Sequence, residues 1–330
     1  MASIRDVAKL AGVSLGSVSR YLNGQQLKPA NMEKIAQAIK ELDYKENIIA
    51  KGLKNNRSFS IGLLMNSISS RFGSEVVSGI EKVAEENGYS LLLSGFSAEN
   101  KQIDEKIDYL MKHSIDGLIV FLSEEEWIDL KKLERIQVPL VSLNYPGTAQ
   151  HADAILVNDR QSVREVIAHY IQQGHKKIGY LSAPQDDYPA KERLLGAREA
   201  IETAVACDPE NPQVILETYE GDYTRKSGFL GTEQLLKRGV TALFVSNYNM
   251  SIGALECFNQ AGIVIGKDIA FGHYDYLAQG EQSILPQITI NPPTEKIGET
   301  AATIMLERIK QTEPHEKKNL LMNNQILGLD

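Results

Sequence analysis

Only two cysteines, Cys207 and Cys257, and one tryptophan occur in 330 residues. Each cysteine sits in a helical or helix-edge stretch, and neither has a metal-ligand or redox spacing. A disulfide framework and a zinc site are therefore excluded, and a reducing, cytoplasmic setting fits best. No apolar run reaches the length of about 18 residues that a bilayer-spanning helix needs, and the N-terminus lacks the basic-then-apolar layout of a secretory leader. No membrane association is expected. Enzyme signatures are missing too. There is no Gly-x-Ser-x-Gly elbow, no His-Glu-x-x-His helix and no Cys/His cluster. Gly221-Asp222-Tyr223-Thr224-Arg225-Lys226-Ser227 lacks the glycine that a phosphate loop requires before its lysine. No catalytic residue, cofactor or metal ligand is expected.

Positive charge is in deficit, with a net charge of −8. Its distribution says more than its total. Met1 to Arg57 holds ten Lys/Arg against five Asp/Glu, and the remainder holds 25 against 38, so the two parts carry +5 and −13. A basic segment neutralises phosphates, whereas an acidic body is repelled by a duplex and keeps the molecule soluble. Two parts with different partners are implied.

The basic part begins with Ile4–Gly24. Val7, Leu10 and Ala11 recur at helical spacing, Gly12 breaks the run, and Val18, Tyr21 and Leu22 resume it on a second short helix that Ser14 can cap. That is a helix-turn-helix, in which Leu15, Gly16, Ser17, Ser19 and Arg20 fall off the apolar stripe at the positions that enter a major groove. Pro29-Ala30-Asn31 starts a third helix, with Ile35, Ala38, Ile39 and Leu42 on one stripe. The next stretch, Glu46–Arg57, has a helical pattern but is short and contains Gly52. Alone in water it is expected to be mostly unfolded, since isolated helices below about 12 residues rarely survive the cost of nucleation.

From Ser60 short apolar runs alternate with amphipathic segments. Strands are predicted at 61–65, 89–93, 117–121, 138–143, 154–157, 177–181, 214–219, 242–245 and 268–271. Helices are predicted near 73–87, 101–113, 125–133, 162–173, 190–204, 224–237, 251–260 and 294–311. Such alternation argues for parallel sheets covered on both faces. It divides into two similar halves in series with a cleft between them, where ligands bind beyond the carboxyl ends of the strands.

Several motifs are similar to one known family. Asp6-Val7-Ala8, Ala11-Gly12-Val13-Ser14, Ser17-Val18-Ser19-Arg20, Leu22-Asn23, Leu42-Asp43-Tyr44, Asn47, Ala50 and Leu53 resemble the head and hinge of the LacI/GalR family of bacterial transcription repressors. Val157-Asn158-Asp159, Gly174-His175-Lys176-Lys177-Ile178, Arg193-Leu194-Leu195-Gly196, Asn247 and Tyr274-Asp275 extend the likeness over essentially the whole chain. Glu46 departs from the proline common there, and Tyr248 and Tyr276 depart from the usual small or acidic residues.

The resemblance implies an all-α DNA-binding head at 1–45, a hinge at 46–58, and a core at 59–330 made of two doubly wound parallel-sheet subdomains, similar to periplasmic binding proteins. It implies a homodimer on an inverted-repeat operator in double-stranded DNA, switched by a small effector, a sugar or sugar derivative. The alternative is a catabolite-control-type regulator switched by a partner phosphocarrier protein. The chain ends without a heptad repeat, which favours a dimer over a tetramer.

Candidate residues follow. Arg20 either forks onto a guanine or holds a phosphate. Leu15 and Gly16 are the family's specificity pair by resemblance. Ser14, Ser17 and Asn23 are phosphate contacts, with Ser14 equally an N-cap. By resemblance Leu53 wedges into the minor groove beside Ala50, or else it tucks against the core. For the cleft the resemblance points to Phe72, Asn144, Arg193, Asn247 and Asp275. Arg193 and Asp275 either bind neighbouring hydroxyls, with Arg193 equally able to take a carboxylate or phosphate, or brace the cleft as an ion pair. Tyr248, Tyr274 and Tyr276 are candidates to stack on a ligand. Asn158-Asp159 reads as a helix cap and His175 as a helix-exit and strand-entry residue, whereas His273, near Asp275, stays open between a structural and a site role.

Overall fold

The computed structural model describes residues 2–22, 24–45, 52, 57–66, 71–95, 103–121, 136–146, 151–207, 214–275, 288–311 and 316–329. The chain divides into two compact units, Met1–Phe59 and Ser60–Asp330.

In the first unit, α1 (Ile4–Ala11), α2 (Leu15–Leu22) and α3 (Pro29–Glu41) pack around Val7, Ala8, Ala11, Val18, Ile35 and Ala38. Ser3 and Asp6 form a reciprocal capping box at the start of α1, and Gly12 ends that helix at φ 63°. The sequence pattern places Leu10 on the buried stripe, but it is 46% exposed and Ala8 takes the inward position. Both stripes satisfy helical spacing, and only the tight α1–α3 approach selects the smaller side chain.

The second unit holds two six-stranded sheets. The first, in the order β11-β5-β4-β3-β1-β2, comprises β1 (Ser60–Met65), β2 (Ser90–Gly95), β3 (Gly117–Phe121), β4 (Leu140–Leu143), β5 (Asp153–Val157) and β11 (Asn319–Met322). The second, in the order β12-β10-β9-β8-β6-β7, comprises β6 (Lys177–Ser182), β7 (Ile215–Glu220), β8 (Ala242–Val245), β9 (Ala270–Tyr274), β10 (Ile288–Asn291) and β12 (Gln325–Leu327). Among the described residues every strand pairing is parallel except β10 with β12. Their helices are α4 (Arg71–Glu86), α5 (Ile103–Lys112), α6 (Asp159–Gln172), α7 (Tyr188–Cys207), α8 (Arg225–Lys237), α9 (Tyr248–Ala261) and α10 (Thr294–Lys310). Central strands such as β3 and β8 are buried at every residue, the consequence of helices on both faces. The segment predicted as a helix at 125–133 lies outside the described residues.

The halves are interleaved rather than in series. The chain leaves the first sheet after β5, completes β6 to β10, and then returns. α10 packs on α4, and β11 joins β5 before β12 joins β10. Three crossovers, at Val157–Asp159, Asn291–Thr294 and Met322–Gln325, leave the carboxyl ends of β5, β10 and β11. Strand β9 also runs three residues past its predicted end, taking in His273 and Tyr274.

Close approach of α4 and α10 depends on small residues. A β-carbon on Gly298 would stand 2.1 Å from Val76 O, and one on Gly79 would stand 2.3 Å from Glu295 O. Backbone on both sides leaves no flexible group to yield. Gly298→Ala is expected to destabilise the protein by about 1–3 kcal/mol, measured by urea denaturation. Gly95→Ala, with open space around it, serves as the near-neutral control.

Candidate functional site

In the head, the Ser14 side chain accepts from Ser17 N at 3.1 Å, capping α2, and the two hydroxyls lie 2.9 Å apart. The cap fixes the first turn of α2, the turn that carries Leu15, Gly16 and Ser17. Leu15 is 45% exposed, an apolar side chain held in water with no partner in the head core. Gly16 is uncrowded, since a β-carbon there would meet nothing nearer than Ser14 Oγ at 3.8 Å. The head therefore does not need glycine at this position, and its absent side chain is free to serve an approaching surface. Arg20 is exposed one turn along, its Nε 3.4 Å from Gly16 O. Leu15, Gly16, Ser17 and Arg20 thus share the outer face of α2. Asn23, Ala50 and Leu53 lie outside the described residues.

In the core, the five candidate residues come from strand ends and adjacent helices. Phe72 is on α4, with its ring 5.5 Å from that of Phe121 at the end of β3. Asn144 follows β4 in left-handed backbone (φ 63°), its N–H donating to Ile155 O at 3.0 Å. The neighbouring Tyr145 meets Tyr188 edge-on at 6.1 Å. That contact brings the end of β4, in the first half, to the helix carrying Arg193, in the second. Asn247 follows β8 and caps α9, its side chain accepting from Met250 N at 3.3 Å. Asp275 follows β9, is 8% exposed, and has φ 120°, a strained conformation for a residue with a side chain.

Arg193, at 9% exposed, anchors the arrangement. Nη1 donates to Ser246 O at 3.0 Å, Nη2 lies 3.4 Å from Asp159 Oδ2, and the guanidinium carbon sits 3.4 Å over the Tyr274 ring. Burial opposes its charge, but the Asp159 carboxylate, with Tyr274, Tyr223 and Asp187, outweighs burial and holds the pKa above its ordinary value. The ion pair therefore joins Arg193 to Asp159, not to Asp275. Asp159 is the first residue of α6, and Asn158, at the N-cap position, makes no side-chain cap hydrogen bond. Instead Asn158 Oδ1 accepts from Asn324 N at 2.7 Å. The cap predicted for Asn158-Asp159 is thus replaced by links to Arg193 and to the crossover at Met322–Gln325.

Tyr274 is 2% exposed, its hydroxyl donating to Asp159 and lying 3.2 Å from Asn324 Oδ1. It is a platform for Arg193 and not an open stacking face. Tyr276 lies outside the described residues. His273 is 1% exposed, with Nδ1 3.2 Å from Ser251 Oγ, and burial pushes its pKa down to about 4. His175 Nδ1 lies 2.9 Å from Thr241 Oγ1, a strand-entry contact. Ser246, Asn324 and Asp187 join this site without having been singled out in the sequence. Asp187, 6% exposed, accepts from Ala190 N at 3.0 Å. The only sequence signal for it was an aspartate three residues before the helical run.

Comparison with known proteins matches residues 3–47 to the model "Bacterial regulatory proteins, lacI family" and residues 167–327 to a "Periplasmic binding protein-like domain". The chain is 31% identical over 315 residues to the ribose operon repressor of Escherichia coli (strain K12), covering 94% of each protein. It is 30% identical over 331 residues to the HTH-type transcriptional repressor PurR of Vibrio atlanticus (strain LGP32), covering 99% of this chain and 97% of that one. Among solved structures, a lac repressor dimer bound to operator and the anti-inducer ONPF aligns with a TM-score of 0.81 at 26% identity, over 99% of this chain and 97% of that one. A complex of the transcriptional regulator CelR with cellobiose aligns with a TM-score of 0.69 at 27% identity, over 99% and 98%.

Proposed function

The chain belongs to the lacI family of bacterial regulatory proteins, and from that membership we propose a homodimeric repressor whose operator affinity is switched by a sugar-like effector in the core cleft. It is a DNA-binding transcriptional repressor of that family, and the finer assignments rest on its own residues. The head spans 1–45, the hinge 46–58 and the effector-binding and dimerisation core 59–330. Leu15, Gly16 and Arg20 read the major groove, while Ser14, Ser17 and Asn23 hold phosphates. Ala50 and Leu53 enter the minor groove. Phe72, Asn144, Arg193, Asn247 and Asp275 surround the effector.

A single observation carries the effector assignment. A guanidinium, 9% exposed, lies at the carboxyl ends of β8 and β9, bonded to Ser246 O and covering Tyr274, the residues that directly precede Asn247 and Asp275. A buried charge placed there, where open α/β sheets bind ligands, provides directional polar groups for neighbouring hydroxyls. The ribose operon repressor and the CelR–cellobiose complex are the relatives whose names point to sugars. Binding in the cleft favours one orientation of the two halves, and the three crossovers transmit that choice.

Selection of duplexes from a random pool with the purified full-length protein tests this reading. The expected product is an inverted repeat with half-sites about one helical turn apart, bound more weakly as salt rises. A sugar from a panel including ribose and cellobiose is expected to shift operator affinity by roughly 5- to 150-fold. Failure to enrich any duplex defeats the DNA assignment, and an enriched operator unaffected by every sugar defeats the effector assignment alone.

A further inference from the structure

Two of the three crossovers are fastened to each other. Asn158 N–H donates to Met322 O at 2.9 Å, and Asn324 N–H donates back to Asn158 Oδ1 at 2.7 Å. The chain leaving β5 and the chain leaving β11 thus run side by side. The Ser162 hydroxyl on α6 donates to Asn158 O at 3.0 Å and accepts from Asn324 Nδ2 at 3.0 Å, closing a ring of polar contacts across the pair. The crossover at Asn291–Thr294 is held differently. Thr294 Oγ1 donates to Glu75 on α4, whose carboxylate also accepts from Arg71 Nε at 3.3 Å.

Asn324 also reaches the groups around Arg193. The Tyr274 hydroxyl, which donates to Asp159, lies 3.2 Å from Asn324 Oδ1, and Asn324 Nδ2 stands 3.5 Å from Asp159 Oδ1. Those two residues fix the arginine, Tyr274 from beneath the guanidinium and Asp159 from beside Nη2. Asparagine suits the place because one short side chain carries both an acceptor and donors, which neither ionised aspartate nor leucine provides. Tyr274, Asp159 and Arg193 are all buried. A close-packed interior passes a displacement to its neighbours instead of absorbing it. A shift of Arg193 therefore reaches Asn324 through either partner.

We propose that Asn324 is a positioning residue for the effector response. It acts on Arg193 through Tyr274 and Asp159, and it ties their placement to the two fastened crossovers at Val157–Asp159 and Met322–Gln325. The third crossover, anchored to α4 through Glu75, lies outside this link. The response rests on the effector reading above, whereas the fastening of the two crossovers stands apart from it.

Two measurements on full-length wild type, Asn324→Ala and Tyr274→Phe test the idea, each variant first confirmed as folded by circular dichroism. Tyr274→Phe keeps the ring beneath Arg193 and removes only the hydroxyl. In amide hydrogen exchange, Asn324→Ala is expected to exchange roughly 10-fold faster at both fastened crossovers, with the Asn291–Thr294 crossover as in wild type. Unchanged protection, or an equal rise at all three, overturns the fastening. The second measurement is operator affinity with and without saturating ribose or cellobiose, with sugar binding followed by calorimetry. Wild type is expected to respond roughly 5- to 150-fold, and both variants less than about 2-fold while still binding the sugar. A merely structural role would leave that ratio intact in folded protein. An undiminished ratio, or outright loss of sugar binding in Asn324→Ala, overturns the positioning role. If Asn324→Ala does not fold, Tyr274→Phe decides both measurements, with the same outcomes expected. If no sugar alters operator binding, the effector reading fails and takes the response with it, and exchange alone decides the fastening.

Discussion

Replacing Asp153 by alanine is expected to destabilise the core by about 3–5 kcal/mol, because it leaves a buried guanidinium without its counter-ion. Asp153 is 1% exposed and receives Arg308 through two hydrogen bonds, Nε to Oδ2 at 2.9 Å and Nη2 to Oδ1 at 2.7 Å. Lys318 N adds a third at 2.7 Å to Oδ1. One carboxylate thus ties together β5, α10 and the segment entering β11. Burial works to raise its pKa, but Arg308 and the Lys318 N–H outweigh burial and hold it below the ordinary 3.8. A depressed carboxylate stabilises the fold above its unfolded-state pKa and loses that contribution as pH falls through the folded value. The acid limb of the stability curve below about pH 4 should therefore be shallower in Asp153→Ala than in wild type. Urea denaturation followed at several pH values checks both expectations. The double variant Asp153→Leu/Arg308→Met should recover much of the loss, since removing both charges leaves neither unpaired.

Arg20→Ala is expected to abolish discrimination between operator and scrambled duplex while leaving the fold intact. Arg20 is exposed, and among the described residues its side chain hydrogen-bonds only to Gly16 O in its own helix, so little head stability depends on it. Each arginine–guanine fork contributes about 1–3 kcal/mol of discrimination. Two half-sites in the proposed dimer double that to about 2–6 kcal/mol, most of the gap separating many specific from non-specific complexes. Fluorescence anisotropy with both duplexes at matched salt measures it. Undiminished discrimination would remove Arg20 from the readers and shift the role to Leu15, Gly16 and the hinge.

The sequence disclosed the elements more readily than their allegiance. Runs such as Gly117–Phe121 and Ala242–Val245 are strands in both readings, because continuous apolar segments have little choice under helices on both faces. α10 was legible as a helix, yet its packing on α4 was not, since that depends on Gly79 and Gly298 matching each other across more than 200 residues. Strands β10, β11 and β12, of four, four and three residues, were missed as too short to show a period. Leu320 and Leu321 are exposed, so β11 carries no burial pattern either. In the cleft, the family resemblance singled out the residues that follow β4, β8 and β9, and their places after strands are those where open α/β sheets bind ligands. Arg193's partner was not legible. Asp159 stands at a helix start, where an aspartate reads as a cap, and only the fold turns its carboxylate toward α7.

Interleaving of the halves has a consequence for synthesis. As the chain leaves the ribosome, β6 to β10 emerge as one continuous block that lacks only its antiparallel edge strand β12. The first sheet, begun earlier, waits for α10 and β11, some 140 to 165 residues after β5. Until then β5 presents an unpaired strand edge, and the groove meant for α10 lies open on β3, β4 and α4. The later-made half can therefore mature before the earlier one, and the nascent protein would depend on chaperones mainly through the half synthesised first.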